Sequence, residues 1–295
     1  MSEPRYEQLV FAGNGMSGVA CAEELLKSGQ IFDITIFGDE PHANYDRTLL
    51  SSVLAGERDI DSIILNDIEW YQEHGIRTRL GIQVEEIDRL NRAVRSSDGD
   101  WTGYDKLILA TGSSPEIPSI GGLDQAGVFV FGTLDDARKL ADAAGPGVRA
   151  VVIGGWLAAE AARALRKRGC EVVIAESGDS SDLQLDSLVG EGRVEAVRFA
   201  SGAEFGADLV VIATNLAPNT MLARHAGLLV NRGIVVNDEF ETSDERIFAV
   251  GGCAEHNGQT FDRFPPLLEQ AKSLAAHLAG AFQELTASPL HHRVE

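Results

Sequence analysis

The chain is poor in the residues that build disulfide frameworks and metal centres. Its 295 residues include three cysteines, Cys21, Cys170 and Cys253, and no two of them form a Cys-x-x-Cys pair. A disulfide framework and an iron–sulfur cluster of the chain's own are therefore not expected. The seven histidines show no ligand spacing with cysteine or carboxylate residues, so we expect no metal site.

Basic residues are also scarce. The chain has 25 Lys and Arg against 45 Asp and Glu, a formal charge of −20, which argues against a nucleic-acid partner because phosphate binding needs clustered cations. No apolar run approaches the roughly 20 residues of a membrane span, and residues 1–8 lack the basic and apolar regions of a signal peptide. We expect a cytoplasmic protein with neither a nucleic-acid nor a membrane partner.

Glycine is plentiful at the points where predicted strands end. The apolar strand 9–12 runs into Gly13-Asn14-Gly15-Met16-Ser17-Gly18, a helical pattern covers 19–28, and a second strand, 34–37, is followed by Glu40. Strand, G-x-G-x-x-G, helix, strand and acid in this order are typical of a dinucleotide-binding unit. The glycines let the backbone approach a pyrophosphate, and the helix N-terminus offers N–H groups to it.

A second strand–glycine–helix turn follows later in the chain. Strand 150–153 enters Gly154-Gly155-Trp156, a helix runs to Lys167, and a further strand, 171–175, ends at Glu176. Two such turns predict an α/β protein with two Rossmann-like dinucleotide-binding domains related by duplication. The predicted division is residues 1–118 as the first segment of one domain, 119–220 as an inserted domain, and 221–295 as the second segment.

The inserted domain departs from the pattern of a nucleotide site. Trp156 stands at the second glycine position, where backbone should meet the pyrophosphate, and we expect its indole to occlude that site. Ala159 at the third position is a mild change. The stretch 177–192 is too short for the crossover helix and strand of a full unit, so we predict only a turn around Leu183–Leu185 and a trimmed domain.

The order of motifs resembles the flavoprotein reductases with two dinucleotide-binding domains, the pyridine nucleotide-disulfide oxidoreductase-like class that contains ferredoxin and rubredoxin reductases. It is most similar to the flavoprotein region of assimilatory nitrite reductase large subunits and to electron-transfer subunits of assimilatory nitrate reductase. The matching stretches are residues 13–18, 37–42, 45–56, 65–67, 70–71, 109–115, 250–251 and 253–256.

The resemblance implies FAD as the cofactor and assigns residues to it. Gly13, Gly15 and Gly18, with Met16 and Ser17 between them, would hold the pyrophosphate, and Glu40 the adenosine ribose. The remaining assigned residues are Arg47 beside the flavin or its phosphates, Ala110, Thr111 and Gly112 close to the cofactor, Gly251 at the ribityl chain, and Pro266, which opens a helix predicted over 267–279 and aimed at the flavin. No catalytic side chain is assigned, because the cofactor carries the chemistry.

Two further departures bear on the cofactors. Asn215 stands where the second domain's turn usually has glycine, a mild change because asparagine tolerates a left-handed backbone. Gly252 stands where the family that the chain resembles has an acid that hydrogen-bonds the flavin's ribityl chain. Loss of one such contact is expected to weaken the binding of FAD by about 1 to 3 kcal/mol. Together with Trp156, these changes predict that FAD is retained and that NAD(P)H is not.

Three functions are open at this point. The first is an FAD-containing electron-transfer subunit that passes electrons from a donor protein to a catalytic metalloprotein subunit of the nitrate or nitrite reductase type, because cluster-binding and sirohaem regions are absent from the sequence. The second is a self-sufficient NAD(P)H-dependent reductase of an iron–sulfur partner, with Glu176 on the NAD ribose. The third is a scaffold subunit that has lost flavin. The flavin spectrum, before and after NADH or NADPH, separates the three.

Overall fold

The computed structural model describes residues 6–175, 185–261 and 264–280. The chain divides into two compact units. The first unit comprises Met1–Asn44, Asn66–Gly112 and Pro218–Glu295, and the second comprises Tyr45–Leu65 and Ser113–Ala217.

The first unit is built on a parallel five-stranded sheet. Its strands, in spatial order, are Ile247–Ala249, Lys106–Leu109, Glu7–Ala12, Phe32–Gly38 and Arg77–Leu80. The central strands are continuous apolar runs and lie buried, as expected of a parallel sheet covered on both faces. The helices are Met16–Lys27, Ile68–Glu73, Met221–His225 and Phe264–Leu278, with a 3-10 turn at Gly251–Cys253.

Two small sheets complete the first unit. One is antiparallel and contains Val84–Asp88, Ala93–Ser96 and Trp101–Gly103. The other contains Ile234–Val236, Ala254–His256 and Gln259–Thr260. Elsewhere in the chain, short strands occur at Asn44–Tyr45, Ile64–Asn66, Ser113–Pro115 and Leu216–Pro218, of which Ser113–Pro115 lies in the second unit.

The second unit has a parallel sheet of four described strands. In spatial order they are Val128–Val130, Leu209–Ala213, Arg149–Gly154 and Glu171–Ala175. The helices are Leu50–Leu54, Leu134–Ala143 and Trp156–Lys167, with 3-10 turns at Arg47–Leu49 and Ile60–Ile63. An antiparallel sheet adds Leu185–Val189, Ala196–Phe199 and Glu204–Gly206.

An equivalent aspartate contact occurs in both units, at the start of the strand that leads into the glycine loop. Asp105 accepts the backbone N–H of Gln8 at 2.9 Å and returns its own N–H to the Gln8 carbonyl at 2.9 Å. Asp208 does the same with Arg149, at 3.0 and 2.9 Å. Three adjacent strands also have the same order in the two sheets: Lys106–Leu109, Glu7–Ala12 and Phe32–Gly38 in the first, and Leu209–Ala213, Arg149–Gly154 and Glu171–Ala175 in the second. This shared order and the repeated contact support an origin by duplication, and the predicted α/β fold with two Rossmann-like units is confirmed.

Two sequence predictions are corrected by the structure. The turn predicted around Leu183–Leu185 is wrong where it is described, because Leu185 begins the strand Leu185–Val189; residues 176–184, including Glu176, lie outside the described residues. This strand pairs antiparallel with Ala196–Phe199, with a register irregularity between Leu185 and Ser187. Its burial does not alternate regularly, because Asp186 is exposed and Leu188 is buried, so the sequence gives no clear period-2 signal for it. The last helix begins at Phe264, not at Leu267. Proline has no backbone N–H and is tolerated in the first turn of a helix, where N–H groups have no intrahelical acceptor, so Pro265 and Pro266 lie within the helix.

The structural division also differs from the predicted one in the segment Tyr45–Leu65. The sequence places this segment in the first domain, whereas its contacts lie in the second unit. Leu50 and Leu54 are buried in one apolar cluster with Ala161 and Leu165. The short helix Leu50–Leu54 is therefore part of the second unit's core, a tertiary contact that no local pattern announces.

Candidate functional site

The first glycine loop is shaped by its contact with the neighbouring strand end. Gly13 has φ +128°, and a Cβ there would lie 2.0 Å from the Ala110 carbonyl oxygen. A Cβ on Gly18 would come within 2.9 Å of both the Ala110 Cβ and the Gly13 carbonyl oxygen. These two positions admit only glycine, and Ala110 is the residue against which both pack.

The middle glycine of the loop has a different environment. A Cβ on Gly15 would meet nothing within 4 Å, so its backbone faces open space. Gly15 precedes the helix Met16–Lys27 in extended conformation, and no side chain caps that helix. The N–H groups of the first turn, from Met16 onward, lack intrahelical acceptors and point the positive end of the helix dipole into that space. This arrangement fits a pyrophosphate.

A fourth glycine, far along the sequence, lies against the same helix. Gly251 has φ +86°, and a Cβ there would lie 2.8 Å from the Ser17 Cβ and Oγ. The backbone N–H of Gly251 donates to the buried Gln270 Oε1 at 3.1 Å. The structure thus brings together Ser17, Gly251 and the helix Phe264–Leu278, whose first turn contains Pro266. Gln270 was not predicted, and no local sequence signal marks it.

Thr111 and Gly112 are held by one asparagine. The Asn219 Nδ2 donates to the Thr111 carbonyl at 2.8 Å, the Thr111 Oγ1 donates to the Asn219 carbonyl at 2.7 Å, and the Asn219 N–H donates to the Gly112 carbonyl at 2.9 Å. Gly112 has φ +66° and open space at its Cβ position. Asn219 therefore fixes the turn after strand Lys106–Leu109, a role that sequence reasoning missed.

Glu40 lies in the turn that follows the second strand, Phe32–Gly38. Its N–H donates to the Asp39 Oδ1 at 3.1 Å, and its carbonyl accepts the N–H of Gly81 at 3.0 Å. The backbone of this turn is thus fixed on both sides. Its position at the carboxyl end of the strand next to Glu7–Ala12 is the one at which a ribose-binding acid stands in this fold.

Arg47 belongs to the second unit. Its Nη1 donates to the Gly132 carbonyl at 3.0 Å, and its guanidinium lies 5.4 Å from the centre of the Tyr45 ring. The Tyr45 hydroxyl in turn accepts the N–H of Leu134 at 3.1 Å. The role of Arg47 beside a cofactor stays a prediction.

The second glycine loop repeats the first at its beginning and then diverges. Gly154 has φ +141°, and a Cβ there would lie 2.0 Å from the Ala213 carbonyl oxygen, the counterpart of Gly13 and Ala110. The helix then begins at Trp156, with the Ala159 N–H donating to the Gly155 carbonyl at 3.1 Å. Only Gly155 separates the strand-end glycine from the helix, where the first loop has Asn14 and Gly15.

Trp156 is therefore the first helical residue, not a loop residue, and its side chain is 46% exposed. Its indole is thus carried by the first turn of the helix, the turn whose N–H groups a phosphate would use. The shorter loop and the indole both distinguish the second unit from the first.

The remaining candidates for chemistry are inert in the described part of the chain. All three cysteines are buried and unpaired, and burial raises the pKa of the Cys253 thiol, whose Sγ donates to the Leu109 carbonyl at 3.3 Å. In residues 6–175, 185–261 and 264–280, no cluster of three His, Cys, Asp or Glu side chains could hold a metal ion. No helix among these residues is long and apolar enough to cross a membrane.

The fold is that of a protein with two Rossmann-like dinucleotide-binding units, and comparison with known proteins identifies its family. The pyridine nucleotide-disulphide oxidoreductase family model matches residues 7–186 and 182–275. The chain belongs to this family, which confirms the predicted class of flavoprotein oxidoreductase, and the family implies a flavin cofactor.

Two bacterial relatives are similar over nearly the whole chain. The assimilatory nitrate reductase electron transfer subunit of Bacillus subtilis is 43% identical over 93% of this chain and 39% of its own length. Nitrite reductase [NAD(P)H] of the same organism is 42% identical over 93% of this chain and 38% of its own length. The chain thus spans about two fifths of the length of these relatives, and the resemblance inferred from the sequence is confirmed.

A solved structure gives the same fold. The covalent putidaredoxin reductase–putidaredoxin complex contains a chain that matches with a TM-score of 0.87 and 29% identity, over 96% of this chain and 78% of the other. That reductase assembles with a redoxin protein.

Proposed function

We propose that the chain is an FAD-containing electron-transfer subunit that passes electrons to a catalytic metalloprotein of the nitrate or nitrite reductase type, and that it does not take them from NAD(P)H itself. The observation that carries this proposal is the difference between its two glycine loops. The first loop keeps an open Gly15 before an uncapped helix, and the second has a shorter connection and an indole there.

The residues proposed to hold FAD are those of the first loop with their supports. Gly13, Gly15 and Gly18 with Met16 and Ser17 bind the pyrophosphate through backbone N–H groups, and Glu40 accepts the ribose hydroxyls. Ala110, Thr111, Gly112, Gly251 and the helix containing Pro266 line the rest of the cofactor. When bound, FAD supplies the one- and two-electron chemistry; the protein orients it and excludes water.

The proposed partners are a donor protein and the acceptor metalloprotein. The relatives that support this choice are an electron transfer subunit of nitrate reductase and a nitrite reductase, and a reductase with this fold is joined to its redoxin partner. The charge of −20 favours partners with a basic docking patch.

A second candidate is a self-sufficient NAD(P)H-dependent reductase. It is favoured by the similarity to nitrite reductase [NAD(P)H] and by the strand-end glycine that the second loop retains, Gly154. It requires the phosphates to reach a helix that begins with Trp156.

The test is the visible spectrum of the purified full chain under anaerobic conditions. We expect flavin absorbance that persists on addition of NADH and then NADPH and is bleached by dithionite. Rapid bleaching by either nucleotide would select the second candidate. A colourless protein that takes up no added FAD would contradict both and favour the scaffold.

A further inference from the structure

The side chain of Asn14 connects three segments of the first unit. Its Oδ1 accepts the Tyr71 hydroxyl at 2.8 Å, and its Nδ2 donates to the His42 carbonyl at 3.3 Å. Its Cβ lies where Gly38 leaves room, since a Cβ on Gly38 would come within 2.9 Å of it. Asn14 is therefore bonded to the segment that follows Glu40 and packed against the strand that precedes it.

Tyr71 is itself held rigidly. The helix Ile68–Glu73 begins after Asp67, whose carboxylate accepts the Trp70 N–H at 2.8 Å. The Tyr71 side chain is 1% exposed, and its ring meets that of Trp70 edge to face at 5.1 Å. Burial raises the pKa of Tyr71 to about 12, so its hydroxyl remains a hydrogen-bond donor throughout the neutral range.

We propose that Asn14 and Tyr71 are positioning residues that lock the phosphate-binding loop to the ribose-binding turn, so that the adenosine diphosphate half of the cofactor meets a preformed site. This role rests on the proposed binding of FAD in the first unit. Asn14 occupies the variable position of G-x-G-x-x-G, which the motif leaves free, and its side-chain amide is bonded to Tyr71 and to the His42 carbonyl. Pre-organisation of this kind strengthens binding by removing the cost of ordering the loop.

In the described part of the second unit, no side chain takes the place of Asn14. The residue after its strand-end glycine is Gly155, which has no side chain to bond a neighbouring turn, and the helix begins directly after it. The loop that is proposed to have lost its nucleotide thus also has no side chain at the position of Asn14 to bond a neighbouring turn.

The experiment compares Tyr71→Phe and Asn14→Ala, singly and combined, with Tyr104→Phe as the matched control. Tyr104 is a buried tyrosine of the same unit, 4% exposed, and it lies before strand Lys106–Leu109, at the sheet edge opposite the loops. The flavin is removed from the full chain, and the affinities of the apoprotein for FAD and for ADP are measured by calorimetry alongside its unfolding by urea. ADP carries the ribose and the pyrophosphate without the flavin ring.

We expect each of Tyr71→Phe and Asn14→Ala to lower the affinities for FAD and for ADP by the same factor. That factor should be about tenfold, the effect of losing a buried hydrogen bond. Both substitutions remove the bond between Asn14 and Tyr71, and each also removes a second one, from Asn14 to the His42 carbonyl and from the Asn44 backbone to Tyr71. The double variant should therefore bind more weakly than either single one, but by less than the product of the two separate factors. Tyr104→Phe should bind both ligands as the wild type does.

A result in which Tyr71→Phe loses stability but binds FAD and ADP within about twofold of Tyr104→Phe would overturn the positioning role and leave Tyr71 a structural residue. Loss of FAD affinity with unchanged ADP affinity would also overturn it, because the lock acts on the adenosine half. A wild-type apoprotein that binds neither ligand would overturn the proposed function and this role with it.

Discussion

The two units begin alike and differ within two residues. In both, an aspartate bonds the backbone of the strand that leads into the glycine loop, and the glycine at the end of that strand lies against an alanine carbonyl. In the first unit Asn14 and Gly15 then precede the helix, whereas in the second the helix begins directly after Gly155, with Trp156 as its first residue. A fold can thus be kept by its buried backbone contacts while the few exposed loop residues that serve a ligand change.

The largest effect is expected where the units are alike. Gly13→Ala and Gly154→Ala each place a Cβ 2.0 Å from a carbonyl oxygen at positive φ, and each should lower the free energy of unfolding by about 3 kcal/mol or more. The measurement is urea unfolding together with the flavin content of the purified protein.

Flavin content separates the two glycine variants. Folded Gly154→Ala should retain flavin and Gly13→Ala should not. The control is Gly29→Ala, at φ +76° with open space around it, which should cost only about 1 kcal/mol. Flavin retained by Gly13→Ala would contradict the assignment of the first loop.

Most of this comparison could be predicted from the sequence, and the part that could not is tertiary. The glycine loops, the strand that precedes each and Trp156 follow from local pattern, because strand-end glycine and helical periodicity are local signals. The hydrogen bonds of Asn219 and Gln270, and the packing of Leu54 in the second unit, join residues far apart in sequence. Such contacts leave no periodicity to detect.

The assignment of Tyr45–Leu65 to the second unit gives the next largest effect. Leu54→Ala removes a fully buried side chain and should lower the free energy of unfolding by about 3 kcal/mol. The destabilisation should be confined to the second unit. Leu25→Ala is the matched control, equally buried but in the first unit. The measurement is amide hydrogen exchange in strands Arg149–Gly154 and Glu7–Ala12.

We expect Leu54→Ala to raise exchange in Arg149–Gly154 and Leu25→Ala to raise it in Glu7–Ala12. Faster exchange in Glu7–Ala12 for Leu54→Ala, with Arg149–Gly154 unchanged, would instead support the division predicted from the sequence.

The difference between the loops is tested by removal of the indole. Trp156→Ala keeps a residue compatible with the helix and uncovers its first N–H groups, so the affinity for NADH should rise, by about tenfold at most because the loop remains short. The matched control is Trp101→Ala, because Trp101 is a similarly exposed tryptophan of the first unit. This substitution should leave the affinity for NADH unchanged. Calorimetry with NADH is the measurement, and micromolar binding by the wild type would contradict the proposed occlusion.

The smallest effect comes from the aspartate contact that the units share. In the second unit the Arg149 side chain adds bonds to Asp208, at 2.9 Å from Nε and 2.8 Å from Nη2, whereas the first unit has the neutral Gln8. These bonds lower the pKa of Asp208 from 3.8 to about 2. A lowered pKa means that the pair stabilises the fold above the unfolded-state value, with the contribution lost as pH falls from about 4 to about 2.

Arg149→Gln gives the second unit the same pair of residues, aspartate and glutamine, that the first unit has in Asp105 and Gln8. The pair is 50% and 41% exposed, so solvent screening limits the expected loss at pH 7 to about 1 kcal/mol or less. The difference in unfolding free energy between variant and wild type, measured by urea from about pH 7 down to about pH 3, should shrink as Asp208 becomes protonated. A difference that stays constant over this range would show that Arg149 acts through the packing of its side chain, and that the charge adds nothing to the contact that both units already make.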